Sequence, residues 1–276
     1  MKKIIFVIFV LTFFAASTSV QAQKKWEKSG LKIAPPVCYA SDEVVNSYIP
    51  PNPELMMRLK SSEKKSDIIV TYSLFPPEAK AAFEYAINIW EHIIESPVPI
   101  YMRANWRSMD KNVLGSCGPS DYITDFTSIP QAGRYYPIAI AEKIAKKQIT
   151  GFNNPDMTAT FNKGVNWYFG TDGNTPDSLY DFASVVLHEI AHGLGFTGFF
   201  FVNEDLGTYG YYDIGEAAAF DLLVQRNTGE FLVDELIYKN PSEELRKALE
   251  SGLLYAFSPV GILNNNGELP RLYSPS

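Results

Sequence analysis

Metal-binding and basic side chains are scarce in this chain of 276 residues, which has three histidines, two cysteines, and 24 lysines and arginines against 31 acidic residues. The formal net charge is −7. Because affinity for nucleic acid depends mainly on Lys and Arg meeting phosphates, this balance argues against a nucleic-acid partner. No apolar run after residue 22 has the length of a membrane helix, so we expect no membrane span. With 46% hydrophobic and 20% charged residues, the composition is typical of a globular protein with a substantial core.

The first 22 residues have the pattern of a signal peptide. Lys2 and Lys3 precede an apolar run, Ile4–Ala16, that is too short to cross a bilayer, and small residues follow up to Ala22. We therefore expect the protein to be secreted or periplasmic.

The rest of the chain divides at about residue 66. Residues 23–66 combine Lys, Ser, Pro and Asn with little periodicity, which indicates an extended lead-in, and residues 67–276 are predicted to form one domain. The two cysteines are Cys38 and Cys117. In an oxidising compartment they are compatible with one disulfide, although the sequence does not fix the pairing.

Hydrophobic periodicity within residues 67–276 predicts interleaved strands and helices. Predicted strands lie at 68–73, 98–102, 158–161, 166–169 and 220–225, and predicted helices lie at 77–96, 137–147, 178–195 and 242–250. The density of Gly, Pro, Ser and Asp in residues 114–134 predicts a long loop. This order of elements indicates an α+β domain.

One predicted helix carries the sequence His188-Glu189-Ile190-Ala191-His192. Residues four apart lie one above the other on a helix, so the two imidazoles can reach one tetrahedral zinc ion from a rigid support. Glu189 is offset around the helix by one residue. Its carboxylate can therefore act as a general base on water that the metal activates, and as an acid toward the leaving amine. The alternative is two ordinary helix histidines beside a solvated glutamate.

The residues that follow this motif extend the recognisable pattern beyond His192. Gly193, Gly195 and Gly198 follow, and the helix should end near Gly195, where glycine can adopt the left-handed conformation. The run from His188 to Phe196 resembles the HExxHxxG stretch of the metzincin superfamily of zinc peptidases. The chain departs from that pattern at Gly198, where metzincins have a third histidine, and no methionine follows Met157.

Within that superfamily, the chain is similar to leishmanolysin-like peptidases and to a group of secreted bacterial zinc peptidases. The segments that carry this resemblance are 112–116, 136–139, 166–173, 180–187, 220–221 and 272–276. The resemblance implies a twisted mixed sheet, a backing helix and an active-site helix below a substrate cleft. It also implies a third histidine and a methionine segment shortly after the equivalent of Tyr273, which leads to the hypothesis that this sequence is a fragment lacking its third ligand.

Acidic residues inside the chain are alternative third ligands. Asp221 could supply a carboxylate from the edge of a strand, and Glu216 and Asp213 are weaker candidates. An acidic residue after a loop is more often a cap or a partner of a ligating histidine. His92, the third histidine, shares a helix face with Ile89 and is more typical of a buried core histidine than of a ligand.

Aromatic residues offer two further interpretations. Trp167 and Tyr168 could form an edge strand that pairs with an extended peptide, although packing is the more common role. Tyrosines 209, 211 and 212 could line a cleft or stabilise an oxyanion, but tyrosine is abundant in this chain and packing is again favoured.

The sequence thus predicts an endopeptidase with one zinc ion, His188 and His192 as ligands and Glu189 as general base, acting on a protein or peptide substrate. A catalytically inactive secreted binding module with the same fold is the alternative. A zinc hydrolase with another substrate is a third possibility that the ligand set alone does not exclude. The sequence fixes neither substrate preference nor oligomeric state.

Overall fold

The computed structural model describes residues 34–40, 53–60, 63–150, 153–203, 205–210 and 216–272. The predicted signal peptide and most of the predicted lead-in lie outside these residues, as do Tyr211, Tyr212 and Asp213. Within the described ranges, none of the helices combines the length and the apolar character that a bilayer crossing requires.

The described elements alternate between strands and helices along the chain. In order they are β1 (Val37–Tyr39), α1 (Pro53–Leu59), β2 (Ile68–Ser73), α2 (Pro77–Ile93), β3 (Ile100–Arg107), β4 (Val113–Pro119), β5 (Tyr122–Ile123), β6 (Tyr136–Pro137), α3 (Ile138–Ala145), β7 (Met157–Asn162), β8 (Trp167–Tyr168), β9 (Tyr180–Asp181), α4 (Phe182–Leu194), β10 (Phe201–Asn203), β11 (Leu206–Thr208), a 3₁₀ turn (Asp221–Leu223), β12 (Val224–Arg226), α5 (Glu243–Leu249), β13 (Leu254–Ala256) and α6 (Pro259–Asn264).

The main sheet has five strands in the order β1-β4-β7-β3-β2. Strands β2, β3 and β7 are parallel to one another, whereas β4 pairs antiparallel with β7 and β1 pairs antiparallel with β4. The mixed sheet and its helices confirm the α+β class that the sequence predicts.

Helices α2 and α4 cover the same face of this sheet. The ring of Phe161, on the central strand β7, lies 5.7 Å from the ring of Phe83 on α2 and 5.2 Å from that of Phe182 on α4. All three side chains are fully buried. Edge-to-face aromatic contacts of this kind add to the free energy of burial and fix the orientation of the packed side chains.

Local sequence determines both ends of α4. Asp181 caps the N-terminus, where its side chain accepts a hydrogen bond from the Ser184 amide at 2.7 Å. Gly195 ends the helix in the left-handed conformation, with φ of 119°. Between these residues, Phe182, Val186 and Ile190 form the buried apolar stripe. These observations confirm the predicted helix and its predicted end.

A second cluster of buried apolar side chains lies in the C-terminal part of the chain. It is built largely by α5, β12 and β13, and its fully buried members include Leu232 and Leu245. Ser242 caps α5 by accepting a hydrogen bond from the Leu245 amide at 3.0 Å.

Two predicted elements are wrong. Residues 114–134 were expected to be a loop, but Val113–Pro119 form β4, an inner strand of the sheet. Its Gly, Ser and Cys residues are buried because α4 lies directly over them, and a strand of small residues resembles a loop in composition. The strand expected at 220–225 is instead a 3₁₀ turn followed by β12, which begins only at Val224. The other predicted elements are found with shifts at their ends, the largest being β3, which spans 100–107 rather than 98–102.

Candidate metal centre

The two histidines of the motif converge on one point in space. His188 and His192, one turn apart on α4, have their Nε2 atoms 3.1 Å apart. Two nitrogens bound at about 2.0–2.1 Å to one ion with tetrahedral geometry would be roughly 3.3 Å apart. The observed separation is close to that value, so the pair is suited to bind a single small cation.

His192 is oriented by a hydrogen bond on the far side of its ring. Its Nδ1 lies 2.6 Å from the carbonyl oxygen of Phe196. A carbonyl only accepts, so Nδ1 carries the proton and Nε2 keeps a lone pair for a ligand. The left-handed turn at Gly195 brings this carbonyl back toward the helix. The glycine noted in the sequence thus helps to set the tautomer of His192.

His188 is exposed to solvent, whereas His192 is half-buried. Partial desolvation, and to a lesser extent the nearby His192, lower the pKa of His188 below its ordinary value. Both effects favour the neutral imidazole, the form that binds a metal.

Glu189 is fully buried, and a carboxylate oxygen lies within 4.8 Å of a ring nitrogen of His188. Its side chain has no solvent exposure, and neither carboxylate oxygen has a hydrogen-bond partner among the described residues. Burial raises the pKa of Glu189 to about 8, and a weak interaction with the backbone N–H of Cys117, outside hydrogen-bond geometry, offsets this only in part. A buried carboxylate without a partner costs free energy, so it needs an explanation such as a water, an ion or a proton that it handles.

Cys38 is the residue at this site that the sequence did not indicate as a ligand. Its Sγ, a ring nitrogen of His188 and a carboxylate oxygen of Glu189 all lie within 4.8 Å of one another, a grouping that could hold a metal ion. Burial, and secondarily the charge of Glu189, raise the pKa of the Cys38 thiol to about 11. The thiol is therefore protonated at neutral pH without a cation, which argues against a cysteine nucleophile.

Cys38 and Cys117 are both free thiols in this structure. Cys38 lies opposite Gly115 in the pairing of β1 with β4. Cys117 is fully buried under α4, where a Cβ added to Gly193 would lie 2.7 Å from its Sγ. The disulfide that the sequence left open is therefore not formed in this structure.

The acidic residues proposed as third ligands do not join this group. Asp221 is fully buried, and its carboxylate accepts hydrogen bonds from the backbone amides of Phe199 and Ala218 at 2.8–3.0 Å. It therefore anchors the loop after α4, and the interpretation of Asp221 as a ligand is wrong. Glu216 forms an ion pair with Arg134 at 3.4 Å.

Three other candidate residues have packing roles. His92 is buried on α2, with Nδ1 2.7 Å from the carbonyl oxygen of Asn88, as expected for a core histidine. Trp167 is buried and donates from Nε1 to the carbonyl oxygen of Asn162. Tyr209 is buried and donates to Glu235. The packing interpretations of these side chains are confirmed.

The donor set fits a zinc ion. Imidazole and thiolate are the ligands that zinc prefers, and a buried carboxylate beside them without a partner among the described residues is compatible with the general base of a hydrolytic zinc site. The sequence could have revealed Cys38 only through the presence of a cysteine in a chain that has the HExxH motif and lacks a third histidine after it.

Comparison with known proteins identifies the family. The model of the SPBPB7E8-like family matches residues 81–257, a range that includes the whole histidine motif. A protein of Schizosaccharomyces pombe, "Uncharacterized protein PB7E8.01", is 35% identical over 82 residues, which are 29% of this chain and 13% of the yeast protein. The chain thus covers only a small part of that relative. No solved structure matches. The match over residues 81–257 shows that this chain belongs to the SPBPB7E8-like family.

Proposed function

We propose that this protein is a secreted zinc-dependent endopeptidase of the metzincin-like type. The observation that carries the proposal is Glu189, a carboxylate with no exposure and no hydrogen-bond partner among the described residues. It lies within 4.8 Å of a ring nitrogen of His188, whose Nε2 is 3.1 Å from that of His192. A structural role would leave such a carboxylate hydrogen-bonded. Its unpaired state supports a role in chemistry at that point.

Each residue has a separate task in this mechanism. His188 and His192 would hold the ion through Nε2, and Phe196 fixes the ring of His192 through Nδ1. A zinc ion held there would supply Lewis acidity, which lowers the pKa of bound water and polarises a carbonyl. Glu189 accepts the proton of the attacking water on a carboxylate oxygen and passes it to the leaving amine nitrogen.

Substrate would approach from the side of His188. This histidine is exposed, whereas Glu189 behind it is sealed from solvent. A scissile carbonyl placed outside the histidine pair would therefore meet the ion with Glu189 on the protein side of the attacking water. The sheet with an antiparallel strand next to the motif helix also supports a metzincin-like arrangement, in which a cleft runs above that helix.

The test compares Glu189→Gln with Glu91→Gln. Glu91 is a second buried helix glutamate, but it is paired with Lys64 and the Ile68 amide, away from the motif. With zinc supplied, the unaltered chain should cleave an unstructured protein substrate, and a chelator should abolish cleavage. Glu189→Gln should lower the rate by about 10²–10⁴-fold, the usual contribution of a general base, without removing zinc.

Glu91→Gln should keep the cleavage rate of its folded fraction. Activity that survives Glu189→Gln would contradict the mechanism. A chain that binds zinc at one ion per molecule and cleaves neither proteins nor esters would instead favour the non-catalytic binding module, and cleavage of esters alone would favour another class of zinc hydrolase.

A further inference from the structure

A two-histidine site is incomplete, because zinc in hydrolytic enzymes has three protein ligands and one open position. The histidine pair therefore needs a third ligand from outside the motif. Among the described residues, the side chain that reaches the motif with a metal-binding atom from elsewhere is Cys38.

We propose that the thiolate of Cys38 is the third protein ligand of the ion held by His188 and His192. This inference rests on the proposed function and extends it, because it assigns a His₂Cys ligand set within this chain. Cys38 precedes the residues 81–257 that the family model matches, so the family comparison does not suggest this role.

The position of Cys38 is fixed by strand β1. Val37 pairs with Ser116, Cys38 with Gly115 and Tyr39 with Val113, with an irregularity between Cys38 and Tyr39. An irregularity of this kind bends a strand and redirects a side chain. The side chains on either side, Val37 and Tyr39, are exposed, whereas Cys38 is half-buried. The alternation of the strand therefore directs the thiol inward, toward α4.

Small residues on β4 allow this approach. Gly115 lies opposite Cys38, and a Cβ at Gly118 would be only 2.9 Å from Cβ of Pro35. The segment before β1 therefore packs so closely on β4 that a residue larger than glycine at position 118 would displace it. The strand that presents the thiol is therefore positioned by close backbone contact and by hydrogen-bonded pairing.

Glu189 provides the second, independent indication of a ligand. It belongs to the same group within 4.8 Å, and both its oxygens are buried without a hydrogen-bond partner among the described residues. His192 lies outside that group, so its ring or the Cys38 side chain must rotate for Cys38, His188 and His192 to bind one ion together; the fourth position is then free for water beside Glu189. This is the arrangement of a catalytic zinc site rather than of a closed structural one.

The assignment predicts a spectroscopic signature that does not depend on activity. Cobalt(II) in the full chain should give a near-ultraviolet thiolate-to-metal charge-transfer band. Cys38→Ser should remove that band and weaken zinc binding at least about 100-fold, more than the loss of an outer hydrogen bond to a ligand. The matched control is Cys117→Ala, which removes the other thiol and should keep the band.

A second measurement guards against misfolding of the variant. In the unaltered chain, zinc should protect Cys38 from alkylation, and a chelator should remove that protection. Cys38→Ser should also lose peptidase activity at limiting zinc and regain part of it when zinc is in excess.

The outcomes separate this inference from the proposed function. Cobalt binding without the thiolate band, together with loss of activity in Glu189→Gln, would overturn the ligand assignment and leave the peptidase intact. Activity that rises in Cys38→Ser would overturn it as well, because a ligand that completes a catalytic set cannot be inhibitory. Failure of the unaltered chain to bind cobalt or zinc would overturn both proposals.

Discussion

Two fully buried carboxylates, Glu189 and Asp221, lie in surroundings that differ in one respect. Asp221 accepts hydrogen bonds from the amides of Phe199 and Ala218, whereas Glu189 has no partner for either oxygen among the described residues. Burial raises the pKa of both side chains, to about 7 for Asp221 and about 8 for Glu189.

These two residues show the difference between a carboxyl that stabilises the fold and a carboxyl that is available for catalysis. Desolvation alone does not, because it acts on both carboxyls in the same direction. What differs is whether the protein compensates the buried oxygens. Asp221 is compensated by the backbone and holds the loop after α4, while Glu189 is left available beside the histidine pair. The following changes test this distinction.

The largest effect on stability is expected from Asp221→Ala. Two buried amides would lose their acceptor, at about 1–3 kcal/mol each, so the free energy of unfolding should fall by about 3–4 kcal/mol. Asp221→Asn, which keeps one carbonyl oxygen, should cost less. Denaturant unfolding measures both. A cost for Asp221→Ala no larger than that of an exposed substitution such as Glu244→Ala would show that Asp221 does not anchor the loop.

The pH dependence of the same residue gives a second test. The pKa of Asp221 rises on folding from 3.8 to about 7, mainly because of burial, against the lowering effect of the amides of Phe199 and Ala218 and of Arg134. The stability that the protonated form contributes is complete below pH 3.8 and is lost as the pH rises toward about 7. The advantage of the unaltered chain over Asp221→Asn should therefore shrink by at most about 1.4 kcal/mol per pH unit across that window.

Measuring the difference between these two chains cancels the titration of Glu142 and Asp156, whose pKa values burial also raises. Thermal unfolding at a series of pH values provides the measurement. An advantage that grows with pH would mean that the amides and Arg134 outweigh burial and that Asp221 is ionised in the folded state.

Glu189→Met should have the opposite sign. Without metal, replacing an unpaired buried carboxyl by an apolar side chain of similar length should raise the free energy of unfolding by about 1–3 kcal/mol. The same substitution at Glu91, which is buried but paired with Lys64 and the Ile68 amide, should lower it. Both are measured in the presence of a chelator. If Glu189→Met were destabilising, the carboxyl would have a compensating partner, and the contrast with Asp221 would fail.

The sequence predicts the parts of this site that depend on local interactions. Gly195 ends α4 as predicted, because that signal lies at the residue that it determines, whereas the predicted start at residue 178 is displaced to Asp181, which caps the helix. The spacing of His188 and His192 predicts their common face for the same reason. The position of Glu189 next to His188 follows from the helix, but its lack of a hydrogen-bond partner among the described residues does not.

The parts that the sequence misses depend on contacts between distant segments. Cys38 reaches His188 only because β1 pairs with β4, a register that no local pattern specifies. The sequence predicts a loop where β4 lies, because the small residues of this strand are common in loops. In the structure these residues are small because α4 packs directly on them. The sequence leaves Asp221 open as an alternative ligand, because the amides that satisfy it, those of Phe199 and Ala218, are brought to it by the loop that it folds.

The smallest expected effect comes from Gly193→Ala, which tests the close packing of α4 on the sheet near Glu189. A Cβ at Gly193 would lie 2.6 Å from Sδ of Met157 and 2.7 Å from Sγ of Cys117, so α4 rests directly on β7 and β4 at this point. Overpacking costs about 1–3 kcal/mol, and the better helix propensity of alanine returns up to ~1 kcal/mol. The net loss in unfolding free energy should be about 1–2 kcal/mol.

The matched control is Gly164→Ala, where an added Cβ would meet only Oδ1 of Asn162, at 3.4 Å. That variant should be close to neutral.

The close approach at Gly193 keeps water away from the underside of the helix, where Glu189 lies. Gly193→Ala should therefore also lower peptidase activity, because it separates α4 from the strand next to β1. If Gly193→Ala stabilised the protein, helix propensity would outweigh packing at this contact. The sealed position of Glu189, and with it the contrast between the two carboxylates, would then have to be explained by something other than the close contact of α4 with the sheet.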